Sequence, residues 1–180
     1  MRRILTIVCL LLFTYTGAFS QFYKYSNEFL SIGIGARGLS MAGAQVASIN
    51  DVTSGYWNPA GLALIDKKMD IGLMHAEYFA GIAKFDYAAV ALPMQDKNRM
   101  LAFSIIRFGV DDIPNTLFLL EPDGSVNYNN VTTFSVADYA GLISYAQKLP
   151  IEGMRIGGSL KLIHRTVGSF ASSWGVGLDA

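Results

Sequence analysis

From Met69 to Ala180 the chain reads as a series of stretches in which side chains of opposite character alternate, with turn residues between them. A period of two belongs to β-strands, because successive side chains leave a strand on opposite faces. The stretches are Met69 to Phe79, Lys84 to Met94, Met100 to Phe108, Ala137 to Leu149, Met154 to Thr166 and Ser172 to Ala180. Most are about as long as the ~9–11 tilted residues that cross a bilayer, whereas soluble strands are nearer five or six. Alternation is strictest late in the chain. Met154, Ile156, Gly158, Leu160 and Leu162 share one face, and Arg155, Gly157, Ser159, Lys161 and Arg165 share the other. In Ala137 to Leu149 one face carries Tyr139, Gly141, Ile143, Tyr145 and Leu149, and the opposite one carries Asp138, Ser144 and Lys148.

The pattern predicts an all-β, antiparallel fold, and the rest of the composition favours a transmembrane barrel over a soluble sheet. Charged residues are 16% of the chain, there are 18 glycines, and the mean hydropathy is +0.34. Beyond the first twenty residues no apolar run reaches the ~18 needed for a helical span. A barrel needs no such run, since lipid-facing and lumen-facing residues alternate. Residues 1–20 have the grammar of a signal peptide: Arg2 and Arg3, the apolar run Ile4 to Phe13, and Ala18-Phe19-Ser20 before Gln21. Cleavage there removes Cys9, the one cysteine, and leaves 12 basic against 14 acidic residues. A cysteine-free, slightly acidic exported chain has no disulfide framework or thiolate metal site, and nothing points to a nucleic-acid partner. Tyr78, Phe79, Phe85, Phe108, Tyr139, Tyr145 and Trp174 fall near strand ends or on the apolar face, as aromatic girdles require. A soluble secreted β-sheet domain, whose strands would also alternate, is the competing architecture.

Turn chemistry adds an expected topology. Gln95 to Asn98 and Leu149 to Gly153 are short connections, while Gly109 to Val136 is a long excursion containing Glu121-Pro122-Asp123-Gly124. Outer-membrane barrels have short periplasmic turns and longer external loops, so the long excursion is expected outside the cell.

Residues 21–66 are of another kind. Gly33-Ile34-Gly35-Ala36-Arg37-Gly38 satisfies the dinucleotide pattern G-x-G-x-x-G, yet that pattern needs a strand, a helix and an acidic residue ~20 positions on. The next acidic residue is Asp51, too near, and no second parallel strand follows. The alternative is steric. Gly38, Ser40, Ala42, Gly43, Ala44 and Ala47 make a segment small enough to lie against strands as a plug, with a short helix expected over Leu39 to Ser48. Asn58-Pro59 marks a further helix start, with Asn58 as N-cap and Pro59 in the first position, where its missing N–H costs nothing.

No catalytic, cofactor or metal constellation emerges. His75 and Glu77 lie two apart on one strand with His164 distant, and Asp111-Asp112 before Pro114 suits a turn as well as a cation. Asp138, Ser144, Lys148, Arg155, Lys161 and Arg165 are candidate lumen-facing residues. The three basic groups from Arg155 to Arg165 form a strip for an anionic ligand, or else pair with Asp138 and Asp179 across strands.

Gly35-Ala36-Arg37-Gly38, the small-residue run to Ala47, Trp57-Asn58-Pro59-Ala60-Gly61-Leu62, Asp111 to Thr116 and Phe134 to Tyr139 together resemble the PorV/PorQ family, related to the FadL-type outer-membrane transporters. The resemblance implies an outer-membrane barrel of about fourteen strands with the N-terminal segment folded into the lumen as a hatch. Gly35, Arg37, Gly38, Gly43, Trp57, Asn58, Pro59, Ala60 and Gly61 would be hatch residues. It further implies a place beside type IX protein secretion, with secreted cargo proteins and machinery subunits as partners, or a FadL-like passage for hydrophobic small molecules. The family is longer, so residues 67–180 are expected to be the first part of a truncated barrel.

Overall fold

A computed structural model describes residues 27–94 and 98–180. The expected signal peptide and most of the turn after Met94 lie outside the described residues. Residues from Asp70 onward form one six-stranded antiparallel sheet in sequence order: β1 (Asp70–Tyr78), β2 (Ala83–Pro93), β3 (Arg99–Asn115), β4 (Thr132–Lys148), β5 (Arg155–Val167) and β6 (Ala171–Asp179). Every neighbour is joined by a hairpin-type connection, and β1 and β6 are the two edges.

The period-two pattern sorts side chains as the sequence implies. Burial alternates residue by residue along β1, β2 and most of β3 and β4. One face is covered by residues 27–66, which pack across it as short helical turns: Glu28–Ser31, Ala36–Ser40, Ser54–Trp57 and Pro59–Leu64. The core forms there, where Phe29, Ile34, Val52 and Leu62 meet Phe85, Tyr87, Met100, Ile106 and Leu142. None of the covering helices exceeds six residues. Helices that short are unstable alone, so the segment's shape depends on the sheet beneath it.

Three expectations need correction. The helix expected over Leu39 to Ser48 is instead five residues, Ala36–Ser40, followed by consecutive turns. Gly43, at φ 81°, takes a left-handed conformation that ends regular helix. The excursion from Gly109 to Val136 is shorter than expected, because β3 and β4 are 17 residues each and continue pairing to Asn115↔Thr132. A register shift between Val110 and Ile113, with Asp112 at φ 58°, is the bulge that hid this continuation. Finally, Phe85 is fully buried against the N-terminal segment with Phe108 6.1 Å from it, and Tyr78 packs on the same core. These three rings are internal packing rather than girdle.

Candidate functional site

The covered face is organised around Trp57. Its indole Nε1 donates to Ile34 O at 3.1 Å, and its ring lies against Gly33, Gly38 and Gly43. A Cβ on Gly38 would stand 2.9 Å from the ring and 2.4 Å from the Gln45 amide. Gly33 and Gly38 of the G-x-G-x-x-G pattern therefore clear space for a tryptophan. Gly35, at φ 77°, precedes Ala36–Ser40 in a conformation that glycine reaches without penalty, and its N–H points at Met74 Sδ. Arg37 is exposed. Beside Trp57, Tyr56 donates to Leu30 O and accepts from Gly33 N, and burial pushes its phenol up to about 12.

Asn58, Pro59, Ala60 and Gly61 form the base of the segment. Asn58 Oδ1 accepts from Ala60 N at 3.2 Å, and its Nδ2 donates to Val46 O at 3.0 Å. Pro59 opens a 3-10 helix there. Gly61 packs on Ile49 O, 2.8 Å from where its Cβ would be. The turn rests directly on β5. A Cβ on Gly157 would lie 2.4 Å from Ala60 N and 2.5 Å from Pro59 C.

A polar contact pins the next turn up. Ser144 Oγ and Ser159 Oγ, both buried, reach Gly55 O at 3.2 and 3.1 Å and each other at 2.7 Å. Ser144 thus serves attachment of the N-terminal segment.

The other candidate lumen residues also lie on this face. Asp138 is buried and bound by Arg165, whose Nη2 donates at 2.6 Å. Lys161 pairs with Asp179. Lys148 and Arg155 sit opposite each other at the strand ends, exposed and without an ion-pair partner among the described residues. Of the three-residue basic strip, Lys161 and Arg165 are thus neutralised and Arg155 is not. Asp111 takes Arg107 at 3.0 Å and Lys84 at 3.2 Å, leaving it little capacity for a cation.

The opposite face carries no covering element among the described residues, and its side chains form rows running straight across the sheet. Leu73, Ala88, Ile105, Gly141, Leu162 and Val176 are mutually in register, and Ile71, Val90, Phe103, Ile143, Leu160 and Leu178 form the next row. Leu73, Val176 and Leu178 are each 70% or more exposed. Immediately beyond the first row the character changes to His75, Asp86, Arg107, Tyr139, His164 and Trp174. His75 Nδ1 meets Asp86 at 2.6 Å, Arg107 lies 3.6 Å from the same carboxylate, and His164 stacks on Trp174 at 4.1 Å. At the other end Arg99 and Gln147 face each other. Arg99 to Arg107 is about 26 Å along the strand, or ~20 Å at a barrel tilt of ~40°. This banding across strands escaped sequence reading, because register between strands is not visible in one chain.

Beyond the sheet, residues 116–131 fold over a bridge between Leu120 and Val126. Glu121 Oε1 accepts from Asn127 at 2.8 Å and Asn130 at 3.0 Å, which holds its carboxyl below the usual range.

No family model, curated protein or solved structure matches this chain.

Proposed function

We propose that the chain is part of an outer-membrane β-barrel of the PorV/PorQ type, associated with type IX protein secretion as a cargo shuttle or accessory component rather than as an enzyme. The observation that carries the membrane reading is the uncovered face: continuous apolar rows bounded on one side by an ionic and aromatic row, at a height near the ~25 Å of an outer-membrane apolar band. A soluble sheet would leave that face in water, where an apolar patch of this extent is rare. The covered face supports a hatch, since its helical turns are held by the sheet and have no core of their own. The secretion role rests on the family resemblance, and the paired upper ends of β3 and β4 with residues 116–131 would be the surface offered to cargo.

The test has two arms. The expressed protein should fractionate with outer membranes and need detergent for release; partition into buffer would end the membrane reading. Secreted proteins should co-purify with the full-length product and be lost when residues 116–131 are replaced by a two-residue turn. Retention of every partner would remove the shuttle role, and saturable binding of a hydrophobic small molecule in its place would favour a FadL-like carrier.

A further inference from the structure

Lys148 at the end of β4 and Arg155 at the start of β5 are direct cross-strand partners, so both side chains leave the same face a few ångströms apart. Like charges so placed destabilise a sheet, and here no carboxylate among the described residues lies within ion-pair distance of either. The other basic residues of this face, Lys161 and Arg165, are each given an acid. Two cations in register without a counter-charge are therefore an exception within their own surface.

They also border a trough. On one side of Arg155 a concavity runs along the β4–β5 connection past Pro150 and Ile151, and on the other a second one runs beneath the Asn58 turn between Ile49 and Leu64. Gly153, Met154 and Arg155 line both, and in the first the two cations outnumber the acid, Glu152. Two adjoining concavities, with cations between aliphatic walls, suit an extended chain better than a compact anion. The second concavity opens on the hatch-covered face, which bilayer headgroups do not reach in the barrel reading.

We propose that this trough binds an acidic peptide segment of a partner protein, with carboxylates at Lys148 and Arg155 and alternating aliphatic side chains against Ile49, Leu64, Ile151 and Met154. The like-charge pair then trades sheet stability for recognition. This goes beyond the barrel assignment and stands without it.

The test uses the full-length protein, in detergent or buffer as its partition dictates, and a fluorescein-labelled Glu-Leu repeat hexapeptide as probe. A Lys-Leu repeat and inorganic phosphate are the controls. Wild type should bind the acidic probe saturably and the basic one not at all, with affinity falling as salt rises from about 50 to about 500 mM. Lys148→Met with Arg155→Met should weaken binding roughly tenfold, the product of two exposed ion pairs, while the melting temperature stays level or rises. Lys148→Glu, which gives Arg155 a partner, should raise the melting temperature and also weaken binding. Unchanged binding in these variants, or equal binding of the basic probe, would overturn the proposal. Full displacement of the probe by millimolar phosphate would overturn it in favour of a small-anion site.

Discussion

Gly157→Ala adds one methyl group at the place where the N-terminal segment touches β5. The new Cβ would stand 2.4 Å from Ala60 N, 2.5 Å from Pro59 C and 2.8 Å from Ala60 Cα, all backbone atoms that no rotamer change can move aside. Reaching an ordinary contact of ~3.5 Å requires the Asn58 turn to lift by about 1 Å. The turn is tied on both sides, by Asn58 to Val46 O and by Ser144 and Ser159 to Gly55 O. A lift of that size stretches the serine contacts, at 3.2 and 3.1 Å, past hydrogen-bonding range. Overpacking alone costs about 1–3 kcal/mol, and the buried Gly55 carbonyl left unpaired, while the two serines still bond each other, adds about 1–3 kcal/mol. The expected loss is about 2–6 kcal/mol, read by denaturant unfolding of the full-length protein and by new protease cleavage between residues 55 and 65. Gly141→Ala is the control. Nothing lies within 4 Å of its added Cβ, so it should change stability by less than ~0.5 kcal/mol. If Gly157→Ala unfolds like wild type and keeps its protease pattern, the segment does not sit on β5 as described.

Trp57→Ala empties the space framed by Gly33, Gly38 and Gly43 and removes the bond to Ile34 O; it should cost about 3–5 kcal/mol, seen as a lower unfolding midpoint and early proteolysis of residues 27–66. Asp138→Asn removes the charge facing Arg165 from a buried position. It should destabilise by roughly 1–3 kcal/mol, and Asp138→Asn with Arg165→Met should recover part of that loss in a double-mutant cycle. In residues 116–131, Glu121 and Asp123 are held below the usual carboxylate range by hydrogen bonds from Asn127 and Asn130 and from Ser125, respectively. A depressed folded pKa contributes order that is fully present above the unfolded value of ~4 and is lost as pH falls through the folded one. Amide exchange in residues 118–130 should therefore accelerate at pH 3 relative to pH 6, and a pH-independent rate would contradict the network.

Strand existence was legible from periodicity, because β1 to β4 each cover one face more than the other and alternation then becomes obligatory. Boundaries failed where the pattern breaks: Asp112 in the bulge interrupts the alternation at the point where β3 and β4 run on together. Phe85 and Phe108 were misread because one chain reveals that a residue is aromatic and inward or outward, but not what covers the inward face. The glycine run was legible as clearance, yet its beneficiary, Trp57, lies about twenty residues downstream and could be identified only in three dimensions. Ser144 was visible as a face residue, whereas its bond to Gly55 O links positions 89 apart. Such contacts follow from tertiary packing, to which local patterns are blind.

The chain's two tryptophans fall on opposite faces, which makes the membrane reading directly measurable. Trp57 is half-buried against the glycines of the covering segment, while Trp174 is 76% exposed on the open face, one row beyond Val176 and two beyond Leu178. If that face meets lipid, Trp174 sits at headgroup level, where tryptophan is enriched. Lipids brominated near the glycerol end of their chains should then quench its emission more strongly than lipids brominated near the chain terminus. Trp57 should respond to neither, and Trp174→Phe should abolish the quenching and leave the Trp57 emission. Moving the probe tests the row order itself. Val176→Trp in the Trp174→Phe background shifts the ring by about 6.6 Å along the strand, so the deeper bromines should gain on the shallow ones. A soluble sheet predicts the reverse: Trp174 quenched by aqueous iodide and indifferent to lipid of either kind. That result would sink the barrel assignment while leaving the packing of Trp57 untouched, because the two rings report on different faces of one sheet.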